Sequence, residues 1–197
     1  MNTLKAEKRD MNTKAKKLRR EGYVTGNVFG KKIEGSIPVK IGVKDAQELL
    51  KTSNKGSQIM LNVDGSSMDV LIKEIDYDSM KHQILEMDFQ ALVSDEKVHS
   101  VAEIILRNHE MVQNGVLQQQ LEEISYRALP ADLVEKIEID VSSLKTGDSI
   151  KVKDLDIASN DKVDLLTDPE ATIVTVTEVH NVVPETESDE GEASAEA

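Results

Sequence analysis

Gln58–Val93 reads QIMLNVDGSSMDVLIKEIDYDSMKHQILEMDFQALV. It contains three β-rich runs, Gln58–Val63, Met68–Ile75 and Gln83–Val93, set apart by turn signals at Asp64-Gly65 and Asp78–Lys81. Alternating apolar and polar residues place successive side chains on opposite faces of a strand. Asp-Gly between two such runs signals a hairpin, and with Ser66 and Ser67 added the loop is predicted to be longer than the two-residue minimum. Consecutive strands joined by hairpins make an antiparallel sheet.

Toward the N-terminus the same period continues. Ile37, Val39 and Ile41 alternate with polar partners, and Pro38 among them marks an edge position or a strand start. Tyr23–Phe29 and Leu4–Lys8 read as further strands, with turns at Gly30 and Gly35. Val43–Thr52, VKDAQELLKT, has Ala46, Leu49 and Leu50 at i, i+3, i+4 and is predicted to be helical. Residues 1–93 are therefore predicted to form an antiparallel β-barrel of five or six strands with two short helices.

Toward the C-terminus, Ser94–Lys97 is a polar break and the predicted domain boundary. Strands resume at Val98–Arg107 and Val116–Leu129, around the loop hexamer NHEMVQ, and continue at Leu133–Val141. Leu144–Asp148 is a turn into Ser149–Lys153, and Asp168-Pro169 separates Val163–Leu166 from Thr172–Val179. The fold class is mainly β: a barrel domain over 1–93, then a second β-rich domain over 94–183. The tail 184–197, PETESDEGEASAEA, has no large apolar side chain and is predicted to be disordered.

Composition narrows the function. With no Cys, disulfides and Cys-based zinc sites are excluded and a cytoplasmic home is favoured. The leading MNTLKAEKRD has no apolar segment, so no signal peptide is expected. No run approaches the length of a membrane-spanning helix. No Trp, two Phe and three Tyr leave an aliphatic core filled partly by Met60, Met68, Met80 and Met87, and few rings on which single-stranded bases could stack. His82, His99, His109 and His180 are scattered, with neither metal-ligand nor catalytic spacing. Gly22, Gly26 and Gly30 fit neither the dinucleotide fingerprint nor a phosphate loop. Nothing points to an enzyme or to a cofactor.

Charge points elsewhere. The net charge is −13, yet residues 1–94 hold 16 Lys and Arg against 13 Asp and Glu, while 95–183 hold 8 against 18. The basic excess concentrates in KAKKLRREGYVTGNVFG, residues 14–30, where Lys14, Lys16, Lys17, Arg19 and Arg20 crowd a segment expected to be helical between an N-cap at Thr13 and a stop at Gly22. On a helix Lys16, Arg19 and Arg20 share one face. Such a face either sits in water or meets a polyanion, and nucleic-acid phosphates are the sharper reading.

These segments together, with IKEIDYDSMKHQILEMDF and RALPADLVEKIEIDVSSLKTGDSIKVKDL as the most specific, resemble the bacterial large-subunit ribosomal protein family that binds 5S ribosomal RNA, in its long form, the general stress protein Ctc. The resemblance covers roughly residues 1–180. It implies an RNA-binding N-terminal barrel, a separate C-terminal β domain, and 5S RNA and the large subunit as partners. It implies RNA contacts at Lys8 or Arg9, at Lys14, Arg19 and Arg20, at Phe29 and Gly30, and at Asp88 and Phe89, to which the helical reading adds Lys16. Where the family carries His, Tyr and Pro-Ala, this chain carries Glu86, Phe29 and Thr25-Gly26. A second reading keeps the fold and drops the RNA: a stress-associated paralogue acting on protein partners through its acidic second domain.

Overall fold

Asp64 and Gly65 both take positive φ, 49° and 91°, and Val63 pairs directly with Ser66. Two left-handed residues in a two-residue loop are the signature of a type I′ hairpin, whose twist matches that of the strands it joins. The loop is therefore minimal, and Ser66 and Ser67, predicted to lie in it, are strand residues.

The computed structural model describes residues 2–111 and 115–178. The tail 184–197, the end of the predicted second domain and part of the NHEMVQ hexamer lie outside the described residues. In order, the first half contains β1 (Thr3–Lys8), α1 (Ala15–Arg20), β2 (Tyr23–Phe29), β3 (Ser36–Gly42), α2 (Val43–Leu49), β4 (Gln58–Val63), β5 (Ser66–Asp78) and β6 (Gln83–Ala91).

These six strands close into a barrel in the order β1-β3-β2-β6-β5-β4. Four contacts are antiparallel. β1 with β4 and β2 with β6 are parallel, a departure from the all-antiparallel expectation. Strands joined by a hairpin must run antiparallel, but closure brings together strands far apart in the chain, whose relative direction no local pattern dictates. Pro38 is on no edge, because β3 is paired on both sides. Its carbonyl accepts the Arg9 N–H at 2.9 Å, so the side of Pro38 that lacks an N–H faces β1 where β1 ends. Inside the barrel, Val24, Val28, Ile59, Ile72, Met87 and Phe89 are fully buried.

The second half contains β7 (Val98–Arg107), β8 (Val116–Gln119), β9 (Glu123–Ala128), β10 (Lys136–Asp140), β11 (Ser149–Lys151), β12 (Asp164–Leu165) and β13 (Thr172–Thr177). One sheet has the order β10-β7-β9-β12 and another β11-β13-β8. The single strand predicted over Val116–Leu129 is thus two strands in different sheets. The break falls at Gln120-Leu121, where both N–H groups donate to Ile173 O and Leu121 packs on the core. This half has its own apolar cluster, centred on Ile124, Tyr126, Val152 and Ile173.

Tyr126 is fully buried. Its hydroxyl donates to Val134 O and accepts from Val134 N–H, both at 2.8 Å, which pins the irregular segment leading into β10. Tyr126→Phe strands both backbone groups, and a loss of about 1–3 kcal/mol is expected, read as a lower urea midpoint.

The halves meet along a polar seam. Gly56 takes φ +87°, and a Cβ there would lie 2.1 Å from Val101 O. Asn54 Nδ2 donates to Glu103 Oε2 at 2.6 Å, Lys55 Nζ to Glu123 at 3.2 Å and Lys73 Nζ to His99 O at 2.9 Å. Among the described residues no helix is long and apolar enough to cross a membrane.

Candidate nucleic-acid interface

α1 is a six-residue helix held down by one buried side chain, Leu18. Its last turn carries Lys17, Arg19 and Arg20 and its first turn no acid, so the cations gather at the negative end of the helix dipole. The N-cap is Lys14, without a side-chain cap, not Thr13 as predicted. The Thr13 carbonyl is instead taken by Arg9 Nη2 at 3.1 Å. Gly22 takes φ +88° and ends the helix as predicted. Lys14, Lys16 and Arg20 are exposed, and Arg19 is half-buried with Nε on Ala15 O at 3.5 Å. Lys17 meets Glu21 at 3.8 Å, a solvent-exposed pair that contributes little. Lys40, which is neither exposed nor in the basic segment, is already committed: its ammonium is 2.8 Å from Glu7 and 4.8 Å over the Tyr23 ring.

Beside the helix lies the outer face of β2, β6 and β5. Gly26 lets β2 and β6 approach, since a Cβ there would lie 2.0 Å from Met87 O. Met87 and Phe89 point into the core, so Glu86 and Asp88, alternating with them, face outward. Phe89 is a core residue, not the surface contact that the resemblance implied. Asn27 ties the face together: its N–H donates to Asp88 Oδ1 at 3.0 Å, and its Nδ2 reaches Asp88 Oδ1 and Glu86 Oε1, each at 3.4 Å. Across the ladder, Asp76 pairs with Glu86 and Glu74 with Asp88. Four carboxylates thus line one cleft of about 140 Å³, with like charges opposed across strands, which is unfavourable. Burial pushes the Glu86 carboxyl above its usual value, Asp88 and Asp76 push the same way, and Arg19 and Arg9 oppose them.

The structure therefore gathers Arg9, Arg19 and Asp88 around Glu86, with the exposed Lys14, Lys16 and Arg20 on the adjacent helix. Arg9 Nε is buried without a hydrogen-bond partner. Phe29, two residues along β2 from Asn27, lies on the same outer face about 7 Å away, pairing with Ser36 and Gln90. At Gly30 a Cβ would lie 2.9 Å from Ala91 Cβ, so the chain passes tight against the end of β6. Lys8 stands apart, its N–H donating to the Asp64 carboxylate at 3.3 Å at the hairpin end. Asn27, Glu74 and Asp76 were not singled out from sequence. The alternation in β5 marks both acids as outward, but only the register sets them against Glu86 and Asp88.

Comparison with known proteins follows this division. Residues 4–89 match the Ribosomal L25p family, and residues 97–180 match the C-terminal domain of ribosomal protein TL5. Over 98% of its length the chain is 32% identical to the large ribosomal subunit protein bL25 of Caldanaerobacter subterraneus subsp. tengcongensis, of which it covers 98%. It is 33% identical to the bL25 of Carboxydothermus hydrogenoformans, covering 87% of this chain and 85% of that one. With the bL25 of Bacillus pumilus it shares 30% identity over 100% of this chain and 96% of the other.

Proposed function

From the premise that this chain belongs to the ribosomal L25p family in its long form, with a TL5-type C-terminal domain, we propose that it is a non-enzymatic component of the large ribosomal subunit that binds 5S ribosomal RNA through residues 1–93. As a ribosomal component it would act in the cytoplasm. The observation that carries the reading is the exposed cation row of α1, Lys14, Lys16 and Arg20, flanked by Arg19 and Arg9 and set against an open strand face. Those side chains hold backbone phosphates and fix the register. Asn27 and Asp88 face the wide, shallow minor groove of an A-form helix, where 2′-hydroxyls and base edges are presented. Phe29 and Gly30 form the rim of this face, and Lys8 supplies a more distant charge. Residues 94–183, with their separate apolar cluster and acidic balance, form the second domain, whose surface suits a protein partner.

The test is binding of the full chain to 5S RNA and to a transfer RNA control across a salt series. Each phosphate contact contributes about 0.9 to the slope of log affinity against log salt, by the B-form DNA value. Arg19→Ala with Arg20→Ala is therefore expected to flatten the slope by about one to two units and to weaken binding. No preference for 5S RNA at moderate salt would refute the reading. The four carboxylates on the same face would then favour the paralogue that acts on proteins.

A further inference from the structure

We propose that the cleft between the barrel and the second domain is an oxyanion site that takes a phosphate group through Lys73 and Lys55. The proposal does not rest on the RNA reading, since its two cations, Lys73 and Lys55, lie outside α1 and the β2–β6 face; Glu74 alone lines both clefts.

The cleft encloses about 310 Å³. Lys73 enters it because of a register break in β5: Ile72 pairs with Phe89 and Glu74 with Asp88, so Lys73 is the extra residue of a bulge. Bulges re-aim a side chain out of the regular alternation. Lys73 is half-buried and donates to His99 O at 2.9 Å across the seam. An ammonium has three donors, and this one makes no ion pair among the described residues. A second cation, Lys55, lines the same cleft. Its acid partner Glu123, at 3.2 Å, belongs to an exposed pair that is readily exchanged. Burial lowers the Lys73 ammonium below its usual range and Lys55 pushes it the same way, so two cations oppose each other where an anion would relieve both. In a chain of net charge −13, a half-buried lysine that makes no ion pair among the described residues stands out.

The remaining lining suits an oxyanion. Ser125 supplies a hydroxyl and His99 an imidazole, while the Ser100 hydroxyl already donates to Gly56 O at 3.4 Å. Arg127 donates to His99 Nε2 from Nε at 3.2 Å and from Nη2 at 2.9 Å, which leaves the ring proton on Nδ1 as a further donor. Glu74 is the one acid in the lining and opposes an anion, which gives the proposal a test in both directions.

The experiment is titration of the isotope-labelled full chain with inorganic phosphate, against chloride at matched ionic strength, followed by the backbone amide signals of Gly56, Ser100, Val101 and Ser125. Saturable shifts at these amides are expected with phosphate and not with chloride. Lys73→Met should weaken binding at least about fivefold, the scale of one charged hydrogen bond, and Glu74→Gln should tighten it. Lys55→Gln, which leaves the Lys73–His99 bond intact, should also weaken it, whereas Lys44→Gln on α2 should not. Shifts no larger than with chloride, or indifferent to both Lys55→Gln and Lys73→Met, overturn the proposal. A short RNA duplex that moves the same amides, and no longer does so in Lys73→Met, assigns the phosphate to a nucleic-acid backbone. Phosphate shifts without RNA shifts at these positions keep the site and assign it to a free phosphate.

Discussion

Gly26→Ala is expected to strip the barrel of much of its stability. A Cβ at this position meets Met87 O at 2.0 Å and Met87 C at 3.1 Å, and Val39 Cγ2 at 3.6 Å. The first two are backbone atoms of the neighbouring strand, so no rotamer change relieves the clash. Relief requires β2 to part from β6, and that contact is one of the two parallel seams that close the barrel. Parting them opens Val24, Val28 and Phe89, all fully buried. Overpacking in a well-packed core costs about 1–3 kcal/mol and sometimes more, against a total of about 5–15 kcal/mol for a typical domain. Gly22→Ala is the control. Gly22 has positive φ but open space around it, so only its conformational cost, about 1 kcal/mol, is expected. Urea denaturation of both variants separates the two effects. A Gly26→Ala midpoint no lower than that of Gly22→Ala would show that the strands accommodate the methyl group.

The second large effect is expected at Glu86, and it rests on the RNA-binding reading. Removing its charge with Glu86→Gln keeps an acceptor for Asn27 and takes one negative charge off a face already crowded by Asp88 and Asp76. RNA affinity should rise by about fivefold, near 1 kcal/mol. Glu86→His, which also adds a donor, should gain at least as much. Acidity should imitate the substitution. Burial raises the Glu86 carboxyl above its usual value, so as pH falls through that raised value the folded chain takes up a proton before the unfolded chain does. This group therefore adds stability on acidification, within the window between its raised and usual values, the reverse of a salt-bridged carboxylate. Wild-type affinity should rise over the same window, and Glu86→Gln should flatten that part of the pH profile. Equal affinities at neutral pH would show that Glu86 is no handicap. Weaker binding by Glu86→Gln would make the carboxylate a direct acceptor from RNA.

Much of the fold can be read locally. β2 and β7 begin and end where predicted, at Tyr23–Phe29 and Val98–Arg107, because alternation within them is flanked by turn or polar residues. α2 was predicted to run to Thr52 but stops at Leu49, with Leu50 as its C-cap. Leu50 still packs on the barrel core after the helix has ended, so its apolar character extends the periodicity past the structure. The parallel closures leave no local trace, because Leu4 meets Leu61 and Val28 meets Phe89 across long intervals of chain. The same limit applies to the site. The cations of α1 are adjacent in sequence and were legible. The acid row needs the β5–β6 register, which the bulge at Lys73 shifts by one residue, and a one-residue shift alters which side chains face each other.

The β2–β6 seam also sets a timetable. A chain leaves the ribosome N-terminus first, at about 5–20 residues per second, so α1 and its cations emerge seconds before Gln83–Ala91 is complete. Until β6 docks beside β2, the newborn segment carries its basic residues without the Asn27–Glu86–Asp88 face, and on the RNA-binding reading their attraction to polyanions is indiscriminate. On the RNA-binding reading, selectivity arrives with the last strand of the barrel, so a chain truncated before residue 83 would retain charge and lose judgement.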